Sequence, residues 1–217
     1  MNTPRLETDR LILRKFTEND LNALFKIFSD IEVNTFLPWF PLKSIEETKD
    51  FYDERYAKAY LQPCGYRYAV CLKEDNIPVG YVNISTEVGH DLGYGLLKNL
   101  WHKGIVREAC SAVVEQVKKD GMSYITATHD IDNIRSGNVM KALGMNYMYS
   151  YVELWQPKNF LVTFRMYQLN FDNNYEFVYK EYWNKYKNHF IAKSKCTTQI
   201  LFYTYFNLLF FFIRWLS

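Results

Sequence analysis

The chain has 217 residues, 48% of them apolar and 23% charged, which suits one globular domain with a full core and excludes a low-complexity or fibrous protein. A net charge of +2 at pH 7 leaves no chain-wide basic surface, so nucleic acid is not an implied partner. The four cysteines, Cys64, Cys71, Cys110 and Cys196, form no C-x-x-C pair and no zinc-like spacing with the four histidines, so they read as reduced thiols and no metal is expected.

The opening residues MNTPRLETDR carry charge and no apolar secretory core, and the expected compartment is the cytoplasm. Alternating Leu11, Ile12, Leu13 and Arg14 within residues 5–16 predict a first strand. Thr17-Glu-Asn-Asp20 then starts a helix with Leu21, Leu24, Phe25 and Phe28 on one face. After the loop Phe36-Leu-Pro-Trp-Phe-Pro41, the capping box Ser44-Ile-Glu-Glu47 opens a second helix running towards Tyr60. Two strands follow, 66–72 and 78–85, with a polar turn between them. Residues 91–98 form another, in which Gly93 and Gly95 suggest a bulge or a close backbone approach.

Past that strand, Trp101–Val106 reads as a loop. A helix covers about 107–119, with Ala109, Ala112, Val113 and Val117 at helical spacing, and Gly121 ends it. Residues 124–128 make a β-branched strand. A short helix over 133–143 is closed by Gly144, and strands at about 147–155 and 161–171 turn through Gln156-Pro-Lys-Asn159. The order predicts a mixed α/β sheet with helices on its faces. A domain over 1–171 is followed by a helical extension over 172–192, read from Tyr175, Tyr179, Trp183 and Tyr186 near helical spacing. An apolar tail covers 193–217. Its run 200–213 admits a membrane contact, a docking helix or sequence not selected for folding.

The loop Trp101-His-Lys-Gly-Ile-Val-Arg107 leaves a strand and opens a helix, so unpaired amides and the helix dipole converge on one point. Gly104 permits close approach, and Lys103 and Arg107 add positive charge, which together suit a diphosphate.

Three stretches carry a family likeness: Leu6-Glu-Thr-Asp-Arg10-Leu-Ile-Leu-Arg14; Gly93-Tyr-Gly-Leu96 with 101–109; and Asn133-Ile-Arg-Ser136 running to Leu143-Gly-Met145. In this order and spacing they resemble the GNAT superfamily of N-acetyltransferases, and within it the RimJ/RimL branch of ribosomal-protein N-terminal acetyltransferases. The resemblance implies an α/β (α+β) fold with a mostly antiparallel central sheet, a splayed strand pair and helices on both faces. It implies acetyl-CoA as donor, held by Tyr94, Gly95, Leu96, Leu97, Trp101, His102, Lys103, Gly104, Ile105, Val106, Arg107, Asn133 and Ser136. The acceptor is then a primary amine, a protein N-terminus or a small molecule, attacked directly by a monomer or homodimer.

For proton chemistry, Ser136 is the candidate acid for the leaving thiolate, with Tyr147 beside it, because the helix itself lacks the tyrosine common in the family. Asp91 is the candidate base, set against the alternative of a solvated loop charge. Phe36, Trp39, Phe40 and Trp155 line the acceptor site or pack as ordinary aromatic side chains. Asn133 and Ser136 equally suit helix capping. His102 and Val106 stand where the family has smaller residues, and the alternative function is a CoA-binding regulator or scaffold without turnover.

Overall fold

The computed structural model describes residues 1–171 and 176–192. Its elements in chain order are β1 (Leu6–Glu7), β2 (Leu11–Arg14), α1 (Leu21–Ser29), α2 (Ile45–Tyr52), α3 (Lys58–Tyr60), β3 (Tyr66–Leu72), β4 (Pro78–Ile84), β5 (Leu92–Leu96), α4 (Ile105–Lys119), β6 (Tyr124–Asp130), α5 (Ile134–Ala142), β7 (Asn146–Trp155), β8 (Phe160–Asn170), α6 (Glu181–Lys185) and β9 (His189–Phe190). A π-helical turn, Asp53–Ala57, joins α2 to α3, so the expected helix towards Tyr60 is continuous but carries a bulge.

The strands form two antiparallel sheets. One has the order β1-β2-β3-β4-β5 and the other β6-β8-β7-β9. They meet at a single parallel bridge between Asp91 and Thr126, where the Thr126 amide donates to the His90 carbonyl at 3.2 Å. Beyond that bridge β5 and β6 run apart. This matches the expected fold class, a mostly antiparallel arrangement with one splayed pair.

Alternation along the strands assigns each face. Leu11, Leu13, Tyr68, Val70, Val82 and Leu92 pack under α4, whose buried stripe is Ile105, Ala109, Cys110, Val113, Val114 and Val117. Ile12, Ala69, Cys71 and Tyr81 point the other way, against Leu24, Ile27 and Phe28 of α1 and Tyr52 and Tyr56 behind it. Arg14 ties β2 to α1 through a two-pronged ion pair with Asp20, Nη1 to Oδ2 at 2.7 Å and Nη2 to Oδ1 at 2.9 Å.

Two expectations need correction. The register of β4 and β5 is unbroken, and the irregularity falls at Val70/Cys71 in β3, opposite Pro78. Of the two β5 glycines, Gly95 bears out the other reading offered for them, close approach, while Gly93 faces open space. A β-carbon on Gly95 would stand 2.5 Å from the Tyr81 ring, so that ring lies flat over the strand. The segment 176–192 is mostly not helical: only Glu181–Lys185 is, and His189–Phe190 pairs with β7. Its aromatics pack on the second sheet, Tyr186 and Tyr182 stacking on Tyr151 at 4.8 and 5.1 Å. Residue 175 and the apolar tail 193–217 lie outside the described residues. No helix among the described residues is long and apolar enough to cross a membrane.

Candidate active site

A cavity of about 370 Å³ opens where β5 and β6 part, between the N-termini of α4 and α5. Of the residues expected to hold a cofactor, Tyr94, Gly95, Leu96, Trp101, His102, Gly104, Ile105, Val106, Arg107, Asn133 and Ser136 line it. Lys103 and Leu97 do not. The Leu97 amide donates to Val79 at 2.9 Å within the sheet. That bond, with the one from the Ser85 amide to the Asp91 carbonyl, sets the ladder's alternation. The N–H groups of Tyr94 and Leu96 therefore face away from β4, towards the gap.

At the loop, Gly104 caps α4 with φ +75° and no side-chain cap, so the first-turn amides from Ile105 to Arg107 have no helical acceptor. His102 also adopts a left-handed conformation, φ +63°, which explains why a glycine suits this position and marks it as strained by about 1 kcal/mol. The backbone donors persist despite its side chain. Trp101 is fixed by its indole N–H to the Leu96 carbonyl at 2.8 Å and by the Arg135 guanidinium 4.3 Å over its ring.

The first and second sequence motifs interlock beneath this loop. Glu108 accepts from the Thr8 hydroxyl at 2.5 Å, from the Arg10 amide at 3.1 Å and from Arg10 Nε at 2.7 Å. Burial would raise the Glu108 carboxyl, but these hydrogen bonds outweigh it and hold it below the usual carboxylate range. Arg10 Nη1 then donates to the Lys103 carbonyl at 3.0 Å, so β2 splints the loop from outside. Arg10→Ala is expected to weaken CoA binding about tenfold by loosening converging amides, with a small stability loss. Calorimetry with CoA reads the first effect and a thermal melt the second.

At α5, Asn133 caps the helix, its Oδ1 accepting from the Ser136 amide at 3.2 Å. The Ser136 hydroxyl meets the Tyr94 hydroxyl at 2.9 Å, and Tyr94 also donates to the Ser136 carbonyl at 2.8 Å. Tyr94 thus brings from β5 the phenol that α5 lacks. Burial drives its pKa upwards. Sequence reasoning placed only its backbone here, because a strand–helix contact 42 residues apart leaves no local signal.

Asp91 sits at the bridge end of the parted strands and does not line the cavity. It is half-buried, not a solvated loop charge. Burial pushes its carboxyl up to about 7, against a weak hydrogen bond from the Thr126 hydroxyl at 3.3 Å. Tyr147 is directed elsewhere: its hydroxyl contacts Ser150 Oγ and accepts from the Ala192 amide, both at 2.9 Å.

Of the aromatic candidates for the acceptor site, Phe36 lines the cavity. Trp39 packs on Phe28 and Phe51, each at 6.2 Å, and carries Arg55 over its ring. Phe40 is exposed, and Trp155 is buried in the second sheet's core against Phe164. Glu32, Val33, Leu100, Arg135, Asn138, Val139 and Ala142 complete the wall without having been expected. Glu32 is pinned by an ion pair with Lys98, a contact spanning the loop after α1 and the end of β5.

Known proteins share this fold. The model of the acetyltransferase (GNAT) domain family matches residues 10–146. The chain is 29% identical over 146 residues to the N-acetyltransferase YoaA of Bacillus subtilis (strain 168), spanning 65% of this chain and 82% of that protein. A GNAT-family acetyltransferase from Bacillus anthracis superposes with a TM-score of 0.68 at 22% identity, covering 77% of this chain and 99% of that one. The microcin C7 self immunity acetyltransferase MccE, solved with acetyl-CoA and AMP, does so at 0.65 and 16% identity, covering 75% and 93%. With the family model spanning most of the chain, and amides, splayed strands and capped helix arranged around one cavity, the protein belongs to the GNAT family and is an acyltransferase.

Proposed function

We propose that this chain transfers acetyl from acetyl-CoA to a primary amine, a peptide N-terminus or a small-molecule amine, by direct attack within a ternary complex. The observation that carries the reading is the gap between β5 and β6, with free Tyr94 and Leu96 amides on one side and the unpaired first turn of α4 at its mouth. GNAT acetyltransferases use acetyl-CoA, and the residues here fit it. The α4 amides with Arg107 suit its diphosphate, and the β5 amides suit its pantetheine and thioester oxygen.

Each protein group then has a defined task. The β5 amides stabilise charge building on the carbonyl oxygen as the amine nitrogen bonds to carbon and the C–S bond breaks. The Ser136 hydroxyl supplies a proton to the departing sulfur. The Tyr94 phenol, whose own proton goes to the Ser136 carbonyl, accepts from Ser136 Oγ and holds that hydroxyl in place, and the serine regains its proton from water. Asp91 receives the amine's proton directly or through water. The motif at residues 6–14 resembles the RimJ/RimL type, and that likeness favours an N-terminal α-amine as acceptor.

The test is thiol release from acetyl-CoA across N-terminal peptides, polyamines and aminoglycosides. Acceptor-dependent release above the buffer rate is the expected result. Tight CoA binding with no release for any amine would make the chain a CoA-binding scaffold.

A further inference from the structure

On the sheet face opposite α4, Arg67 of β3, Asn83 of β4 and Gly93 of β5 stand directly across from one another. At about 4.8 Å per strand the row spans about 10 Å. Gly93 has nothing within 4 Å of where a β-carbon would stand, so the row ends in open space. Two residues back along β5, on the same face, is Asp91.

The charges on this face are unbalanced. Arg67 is half-buried, and its guanidinium has no hydrogen bond or ion pair among the described residues. Arg55, from the π-helical turn, lies flat over Trp39 at 4.1 Å and Phe51 at 5.2 Å, also without a carboxylate. The acids on its own turn are already taken, Asp53 by Lys49 and Glu54 by Lys58. Desolvation against those rings lowers the Arg55 pKa although the residue as a whole is exposed, and the nearness of Arg67 lowers it further. Two guanidinium groups near each other without acidic partners among the described residues, one of them on an aromatic shelf, suit a carboxylate. In the same region the Asn83 Oδ1 and the Trp39 indole N–H are buried without partners. One is an acceptor suited to an amine N–H, the other a donor suited to an anion.

We infer that the acceptor is an amine that also carries a carboxylate: Asn83 and Asp91 address its nitrogen, and Arg55 and Arg67 its anionic group. The inference rests on the acetyl-transfer reading and narrows it. An amino acid and a peptide with an acidic first residue share this chemistry.

The experiment compares matched acceptors with the full chain and acetyl-CoA. Free amino acids are set against their amides, and peptides beginning with Asp or Glu against those beginning with Asn or Gln, all peptides amidated at the C-terminus. The carboxylate-bearing member of each pair should give a kcat/KM about ten- to a hundredfold higher, the range of a charge-assisted forked contact. Arg67→Gln and Arg55→Gln should each shrink that preference to under about threefold, with CoA affinity unchanged and Arg67→Lys restoring part of it. The pair that shows the larger contrast separates the free amino acid from the peptide. Calorimetry of the same amines against the CoA-bound chain supplies a readout that needs no turnover. A binding preference without thiol release would leave the acceptor class standing and overturn acetyl transfer. Release with no preference, or a preference untouched in both arginine variants, would overturn the acceptor class alone.

Discussion

Asp91→Asn should lower kcat for amine acetylation by about 10²- to 10³-fold, the usual weight of a positioned base, while making the folded chain more stable above neutrality. The two effects share one cause. Burial at the meeting point of the two sheets raises the carboxyl from an ordinary 3.8 to about 7, and the tyrosines that bear on it, Tyr94, Tyr151 and Tyr182, are themselves held neutral by burial. A folded-state pKa above the unfolded one contributes stability that is fully present below about pH 4 and is lost as pH rises through about 7. The asparagine has no charge to bury. At pH 8 it should therefore gain about 1–2 kcal/mol over the parent, after discounting for the carboxyl's partial contact with water, and only about a quarter of that at pH 4.5. In the parent, kcat/KM should climb through two ionisations, one near 7 for Asp91 and one near 8 for an N-terminal amine. Only the second should survive in the variant. Melts at the two pH values and a pH–rate profile read both halves. A variant that keeps the arm near 7 would move the base elsewhere.

Local pattern made much of the frame legible, and long-range contact decided the rest. The stripe of α4 and the cap of α5 by Asn133 come from neighbours three and four residues apart, which sequence displays directly. The glycine-capped loop that opens α4 was legible for the same reason. Segment 176–192 misled because its aromatics repeat at near-helical spacing yet serve a flat purpose, covering the face of β7 that carries Tyr149 and Tyr151. Trp155 and Tyr147 were drawn into the site by sequence proximity, but strand alternation and the partners of their side chains turn them elsewhere. Conversely Glu32 and Arg135 reach the cavity, and the Tyr94 hydroxyl reaches Ser136, across gaps in sequence that no period records. Asp91 was visible as a carboxylate, but not its burial, which depends on a bridge to Thr126.

The glycines beside the site divide in a way that tests the architecture. Gly80→Ala should cost about 2–4 kcal/mol, a fall of roughly 5–15 °C in Tm for a domain of this size. Its β-carbon would stand 2.4 Å from the Gly95 carbonyl oxygen, a backbone atom that cannot rotate away, and 3.0 Å from Leu96 Cδ1. Relief requires β4 and β5 to separate in the middle of their pairing, the same strand that presents the Tyr94 and Leu96 amides to the gap. Activity should fall with stability, and CoA affinity with both. Gly93→Ala supplies the contrast within the same strand pair. Nothing lies within 4 Å of its added carbon, and its backbone is not in the left-handed region, so stability should stay level or rise by about 0.5 kcal/mol. That carbon would instead occupy the open end of the Arg67–Asn83 row, raising KM for the acceptor while leaving CoA affinity alone. Thermal melts, CoA calorimetry and acceptor KM on the two variants separate the strand that builds the site from the space that receives the amine. Loss of acceptor affinity in both, or in neither, would place the amine on another face.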